Sequence, residues 1–185
     1  MRTFIAIDFD DEIKDTISSL IQKWDTGDRN IRWVKNQGMH LTLKFLGEVS
    51  EDKTTEVKSV LANIAKDYPS FRLSLKGMGS FPPGTRHPRV IWIGIEMNEP
   101  LQNIQTRLEN ELHKIRFPKE KRKFHPHLTL GRVKGTQNLG TVMESLDQHK
   151  EAHFGRMTVN TITFFKSTLK PTGAEYTILS EFYLE

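Results

Sequence analysis

Hydrophobic and polar positions along the chain alternate between two periods. Residues 2–9 are rich in β-formers and read as a first strand. Asp10 and Asp11 follow as a helix-start signal, and Ile13, Ile17, Leu20, Ile21 and Trp24 then recur at helical spacing until Gly27. Ile31 to Lys35 fits a short strand, followed by a turn at Asn36-Gln37-Gly38. His40 to Leu46 alternates as a strand. Ser50 caps a second helix carrying Val57, Val60, Leu61, Ile64 and Ala65 on one face, ended by Pro69. Phe71, Leu73 and Leu75 alternate with Arg72, Ser74 and Lys76, the pattern of a half-buried strand. A Gly- and Pro-rich loop is expected from Gly79 to Pro88.

The second half repeats the order. Residues 89–97 read as a buried strand with Trp92 in the core. Pro100 opens a helix bearing Leu101, Ile104, Leu108, Leu112 and Ile115. A strand follows from His127 to about Val133, then a shorter helix with Leu139, Val142, Met143 and Leu146. The end is β-rich: a strand at about 156–168, a turn at Pro171-Thr172-Gly173, and a strand at 175–184.

The tetrapeptide His-Leu-Thr-Leu occurs at 40–43 and again at 127–130, an offset of 87 residues. The same offset carries Phe4-Ile5-Ala6-Ile7 onto Ile91-Trp92-Ile93-Gly94, Ile17 onto Ile104, Ile21 onto Leu108, and 71–77 onto 158–164. Both halves therefore read strand, helix, strand, helix, strand. The expectation is one two-lobed domain over 1–185, with an internal repeat at about 1–87 and 88–174 related by an approximate two-fold. The C-terminal strand is left to close one lobe. In a strand alternate side chains share a face, so His40 with Thr42, and His127 with Thr129, point away from their leucines. A two-fold of this kind can bring both polar faces to one groove.

Composition narrows the chemistry. The chain has 185 residues, 36% hydrophobic and 27% charged, with a formal net charge of +4. It contains no cysteine, which removes disulfides, zinc-thiolate sites and cysteine nucleophiles. No apolar run has membrane length, and no signal peptide is evident; a cytoplasmic location is expected. Much of the basic excess is local, in Lys119-Glu120-Lys121-Arg122-Lys123 ahead of the second His-Leu-Thr-Leu. No run of carboxylates has metal-ligand spacing, and neither a P-loop nor a G-x-S-x-G is present.

Two imidazoles facing one groove suit paired acid–base work, because an ordinary imidazole titrates near pH 6.5. One ring takes a proton from an attacking water or hydroxyl, the other gives one to the leaving oxygen. Threonines two residues on supply donors for an anionic oxygen. Phosphodiester cleavage uses such a set, and a strained 2′,3′-cyclic phosphate fits it without metal.

These stretches resemble a known family. The paired His-x-Thr-x motifs look like the 2H phosphoesterase superfamily, and within it the RNA 2′,3′-cyclic phosphodiesterases, also called 2′-5′ RNA ligases. The likeness extends to Arg2-Thr3-Phe4-Ile5-Ala6-Ile7, Met39 to Gly47, Arg89-Val90-Ile91-Trp92, Pro126 to Arg132 and Gly173-Ala174-Glu175-Tyr176. It implies an α+β, bilobal duplicated fold, with two mostly antiparallel sheets flanking a central groove and helices packed outside. It implies hydrolysis of RNA 2′,3′-cyclic phosphodiester ends to 2′-phosphomonoesters, with no cofactor and no metal. By resemblance His40 is the proton donor, His127 the proton acceptor, and Thr42, Thr129 and Arg132 hold the phosphate. Strict alternation puts Arg132 opposite His127, so its role requires a bulge near Gly131.

Phe81, Lys121, Arg122, Phe124 and His125 are candidate RNA contacts, the rings by stacking and the cations by phosphate contact. His125 is expected at the groove edge. Expected substrates are RNAs with cyclic phosphate ends, such as tRNA fragments, or small cyclic nucleotides. A monomer acting without a membrane is expected. The same site run in reverse would be a 2′-5′ ligase, and a non-catalytic RNA-binding module is the alternative outside enzymes.

Overall fold

In the computed structural model, which describes residues 1–27, 29–135, 139–171 and 173–185, two antiparallel sheets carry four α-helices. The first sheet has the order β3 (His40–Glu48), β1 (Arg2–Asp8), β8 (Thr161–Lys170), β9 (Gly173–Tyr183). The second has the order β2 (Ile31–Trp33), β6 (His127–Val133), β5 (Val90–Ile95), β4 (Phe71–Phe81), β7 (His153–Val159). The expected α+β class and the two antiparallel sheets are thus found. No helix among the described residues is long and apolar enough to cross a membrane.

The helices start where their caps predict. In α1 (Asp11–Trp24) the Ile13 N–H donates to the Asp10 carboxylate at 2.9 Å, and Ile13, Ile17, Ile21 and Trp24 are buried. In α2 (Glu51–Lys66) the Lys53 N–H reaches Ser50 Oγ at 3.4 Å; Val57, Leu61 and Ile64 are fully buried. In α3 (Glu99–Lys114) Asn98 caps Leu101 N–H at 3.0 Å, and Pro100 sits where its missing N–H leaves no unmet bond. The fourth helix, α4, spans Gly140–Gln148. Helices α2 and α3 pack on the first sheet, α1 and α4 on the second. One continuous core joins both sheets through residues such as Ile5, Leu41, Leu73, Ile93, Leu128 and Phe164.

Three features differ from the sequence reading. Strand β4 continues through Gly79 and Ser80 to Phe81, where a loop was expected, because it pairs with β5 as far as Phe81↔Val90. The single strand expected at 156–168 is two, broken at Asn160: β7 joins β4 in the second sheet, and β8 joins β1 in the first. The stretch 158–164 therefore straddles a crossing between sheets. The third difference is Trp92, which is half-buried on the face opposite the buried Ile91, Ile93 and Ile95. Of the turn expected at Pro171-Thr172-Gly173, Thr172 lies outside the described residues.

The connectivity is crossed. Strand β4, from the N-terminal half of the chain, pairs with β5, and β8, from the C-terminal half, pairs with β1. Strand β1 is consequently central in its sheet and buried on both faces. Ile5 and Ile7 enter the main core, while Phe4 and Ala6 form a small second cluster with Phe165, against which Tyr176 packs. That second cluster is the wall behind His40.

Candidate active site

Both His-Leu-Thr-Leu segments sit at the start of a strand, β3 and β6, and these two strands touch each other across the sheets. In each, the leucines are buried while the histidine and threonine are half-buried on the other face. The two strands also share a bulge. Along β1 the register passes from Ile5↔Lys44 to Ala6↔Thr42, leaving Leu43 as the extra residue. Along β5 it passes from Ile91↔Gly131 to Trp92↔Thr129, leaving Leu130 extra. An extra residue reverses the alternation beyond it. Leu43 and Lys44 are accordingly buried in succession, as are Leu130 and Gly131. Phe45 and Arg132 then emerge on the histidine side. The Phe45 ring lies 5.7 Å from Phe4, and the Arg132 charge is felt by His127. The bulge required for Arg132 to reach that face is present. Its guanidinium is exposed and makes no ion pair among the described residues. Neither Thr42 nor Thr129 has its hydroxyl in a hydrogen bond among the described residues, so both are available to an incoming oxygen.

The surroundings of the two imidazoles differ. His40 lies 4.8 Å from Phe4, 5.7 Å from Phe165 and 5.0 Å from Tyr176, ring centre to ring centre. Its Nδ1 is buried without a hydrogen-bond partner. This desolvation, aided by the nearby Lys14 ammonium, lowers the His40 pKa to about 4. Lys14 itself is held by Asp8, at 2.9 Å.

His127 is held by a hydrogen bond. Its Nδ1 lies 2.7 Å from the His125 carbonyl oxygen. A carbonyl can only accept, so Nδ1 carries the proton and the lone pair is on Nε2. Burial also lowers this pKa, and the His125 and Arg132 charges push the same way; the bond to the His125 carbonyl opposes them. Phe81, Trp92 and His125 stand around the ring at 5.2, 6.4 and 6.2 Å. Gly79 lies opposite Trp92 in the ladder, and a Cβ there would collide with the indole.

The remaining sequence candidates separate. His125 is exposed and stands edge-on to both Phe81 and Trp92. Phe81 belongs to the same cluster, at the end of β4. Phe124 does not: it is half-buried against the main core, because Pro126 and Leu128 draw its segment inward. Lys121 is exposed, and Arg122 is exposed but tied to Glu120 at 3.2 Å, which holds that carboxyl at about 2. Lys44, one residue past the bulge, is buried; its Nζ donates to the Glu109 carboxylate at 2.7 Å and to the Pro118 carbonyl at 2.9 Å. Glu109 also accepts from Glu120 N–H, at 3.0 Å, linking β3 to the start of the basic loop through α3. Sequence reasoning missed Trp92, Phe165 and Lys44. The signal for Trp92 was available, since strict alternation from Ile91 and Ile93 places it outward. Among the described residues no three His, Asp or Glu side chains converge as a metal site.

Comparison with known proteins gives a consistent result. The profile of the 2'-5' RNA ligase superfamily matches residues 9–170. A Thermotoga maritima protein named RNA 2',3'-cyclic phosphodiesterase is 38% identical over 100% of this chain and 96% of its own. One of the same name from Methanothermobacter thermautotrophicus is 34% identical over 100% and 99%. The crystal structure of TT0787 of Thermus thermophilus superposes with a TM-score of 0.85 at 28% identity, covering 100% of this chain and 98% of that one. E. coli LigT complexed with 3'-AMP does so at 0.79 and 26%, covering 99% and 97%. With its fold, its two His-Leu-Thr-Leu strands and matches that span it end to end, this chain belongs to the 2'-5' RNA ligase superfamily.

Proposed function

We propose that this protein hydrolyses RNA 2′,3′-cyclic phosphodiester ends to 2′-phosphomonoesters by metal-independent acid–base catalysis between two histidines. The observation that carries the reading is the His127 Nδ1–H bond to the His125 carbonyl, which leaves Nε2 free to accept a proton. In this reading His127 takes the proton of the attacking water, the P–O3′ bond breaks, and His40 protonates O3′. Thr42, Thr129 and Arg132 bind the phosphoryl oxygens. His40 is neutral by its surroundings at neutral pH, and an anionic phosphate beside its Nε2 favours the imidazolium. Substrate and catalytic proton therefore bind together.

The names of the relatives support an RNA substrate. Within that class we propose RNA fragments such as those of tRNA, or small cyclic nucleotides, met in the cytoplasm by a monomer. We also propose that residues 1–185 form a single two-lobed catalytic domain built on an internal repeat, about 1–87 and 88–174. The matched bulges at Leu43 and Leu130 support this. The crossed strands β4 and β8 fit it too, as each half would lend its third strand to the other lobe's sheet.

The test is phosphorus NMR of an oligoribonucleotide 2′,3′-cyclic phosphate during turnover in excess chelator. A 2′-monoester as product, and its loss in both His40→Ala and His127→Ala, are expected. Full activity in either variant sinks the mechanism, and dependence on added metal sinks the metal-free reading.

A further inference from the structure

Arg32 has no part in the mechanism above, yet it stands directly opposite Arg132 in the β2–β6 ladder. Directly opposed residues share a face of the sheet. Gly131 shows which face that is: a Cβ there would meet the side chains of Ile31 and Trp33 at 2.8 and 3.1 Å. Ile31 and Trp33 therefore lie on the core side, where both pack. Arg32, between them, points to the side of Arg132, Thr129 and His127.

Like charges directly opposed on a ladder repel. Both guanidiniums are exposed, and neither pairs with a carboxylate among the described residues. Arg32 Nη2 donates a long hydrogen bond to the Pro171 carbonyl, at 3.4 Å. An anion beside the pair removes the repulsion, and the guanidinium fork suits a phosphate.

The place of Arg32 in the fold selects the phosphate. Pro171 follows β8, and Gly173 opens β9, the strand of Tyr176. Tyr176 stands edge-on to His40 at 5.0 Å. Arg32 thus reaches from the sheet of His127 to the hairpin that walls His40. Displacement at phosphorus is in line, so the leaving O3′ and its nucleoside lie on the side of the acid, His40. In an RNA chain that nucleoside carries the next phosphate on its 5′ oxygen. Arg132 is on the strand of His127, beside the scissile phosphate. Arg32 is one strand further out, at the sheet edge and against the His40 hairpin.

We infer that Arg32 binds the phosphodiester next to the cyclic phosphate, on the 5′ side of the terminal nucleoside, and so selects an RNA end over a lone nucleoside cyclic phosphate. The inference rests on the hydrolytic mechanism proposed above and narrows its substrate class. Binding exchanges the long bond to Pro171 for charge-assisted bonds to phosphate.

The test compares kcat/KM for two dinucleotides ending in a 2′,3′-cyclic phosphate, the first sugar of each being 2′-deoxy. One has an ordinary phosphodiester between its nucleosides, the other a neutral methylphosphonate. The ratio of the two values cancels any general loss in a variant. The wild type is expected to favour the charged linkage about tenfold, chiefly through KM. In Arg32→Ala that preference is expected to vanish. In Arg32→Lys it is expected to fall between, because a point charge keeps the attraction but not the fork. Arg132→Ala is expected to slow both substrates and keep the preference. No preference in the wild type, an Arg32→Ala that slows both substrates equally, or a preference lost in Arg132→Ala and kept in Arg32→Ala would each overturn the inference. If the wild type hydrolyses neither substrate, the hydrolytic reading fails and this inference with it, a result distinct from equal turnover of both.

Discussion

The wall around His40 and the wall around His127 start from the same four residues and end with different electrostatics. Each histidine opens a strand, each is followed by a threonine on its own face, and each strand bulges at the second leucine of its motif. What separates them comes from other parts of the chain. Strands β1, β8 and β9 bring Phe4, Phe165 and Tyr176 to His40 and offer no partner for its Nδ1. The residue two before His127 turns its carbonyl onto that ring. One imidazole is dried, the other is tethered. An identical motif thus meets two environments, and its surroundings, not the motif, set proton affinity.

The sharpest way to break this comparison is a leaving group that needs no proton. With the cyclic phosphate, His40→Ala and His127→Ala should each lose about 10²–10⁴ in kcat/KM. With a nucleoside 2′-(p-nitrophenyl) phosphate, whose leaving phenolate is stable, His40→Ala should recover most of its activity and His127→Ala none. Equal recovery in both, followed by nitrophenolate absorbance, would void the division of labour.

The next largest effect concerns the dried wall. Phe165→Ala opens it and should destabilise the fold by about 3–5 kcal/mol. The His40 pKa should rise from about 4 toward 6.5, visible in its imidazole proton shifts, while His127 stays put. A His40 that still titrates near 4 would mean that the rings do not cause its shift.

The pH dependence follows from the same values. Above pH 6.5 His40 is neutral in folded and unfolded chains and contributes nothing to the pH slope. As pH falls from 6.5 toward 4, the unfolded chain gains a proton at His40 that the folded chain refuses. Stability should therefore drop by about 3 kcal/mol over that window and level off below it. Chemical denaturation at pH 7 and pH 4.5 would measure it, with Phe165→Ala showing a smaller drop. In the proposed mechanism, the free enzyme needs His40 charged and His127 neutral. The bell of kcat/KM should therefore lie below pH 6.5, and the kcat profile, set in the complex with an anion, further to the alkaline side.

The smallest effect lies outside the groove. Removing Lys121 should reduce the salt slope of RNA binding by about 0.7. Removing Arg122, already engaged by Glu120, should change it less. Fluorescence titrations at several salt concentrations would separate the two.

Much of this was legible in the sequence where local periodicity and a cap agree, as at Asp10 with Ile13, Ile17 and Ile21. The leucines of each motif were legible as anchors for the same reason. Trp92 was misread because a run of isoleucines suggests burial on both faces, whereas Gly79 makes room for the ring across the ladder. The break at Asn160 is a slip of one residue in the apolar alternation: Met157 and Val159 are buried on one side of it, Ile162 and Phe164 on the other. A single out-of-phase residue reads locally as noise; it becomes a crossing between sheets only through partners far along the chain. The bulges were equally hidden, since register depends on the neighbouring strand. The dryness of His40 was hidden too, since Phe165 lies near the other end of the sequence.

The crossed strands also bear on how the molecule comes into being. Phe4 finds its ladder partner in Phe165, which is synthesised long after it, and β5 needs β4 from before it. The first sheet cannot be completed by a nascent chain that stops short of β8. Such long-range pairing is slow to form, and the first sheet is therefore completed late. A protein cut between the halves would not yield one working lobe and one idle one; it would yield two sheets each lacking two strands, β8 and β9 from the first and β2 and β4 from the second, able to recover only by finding each other.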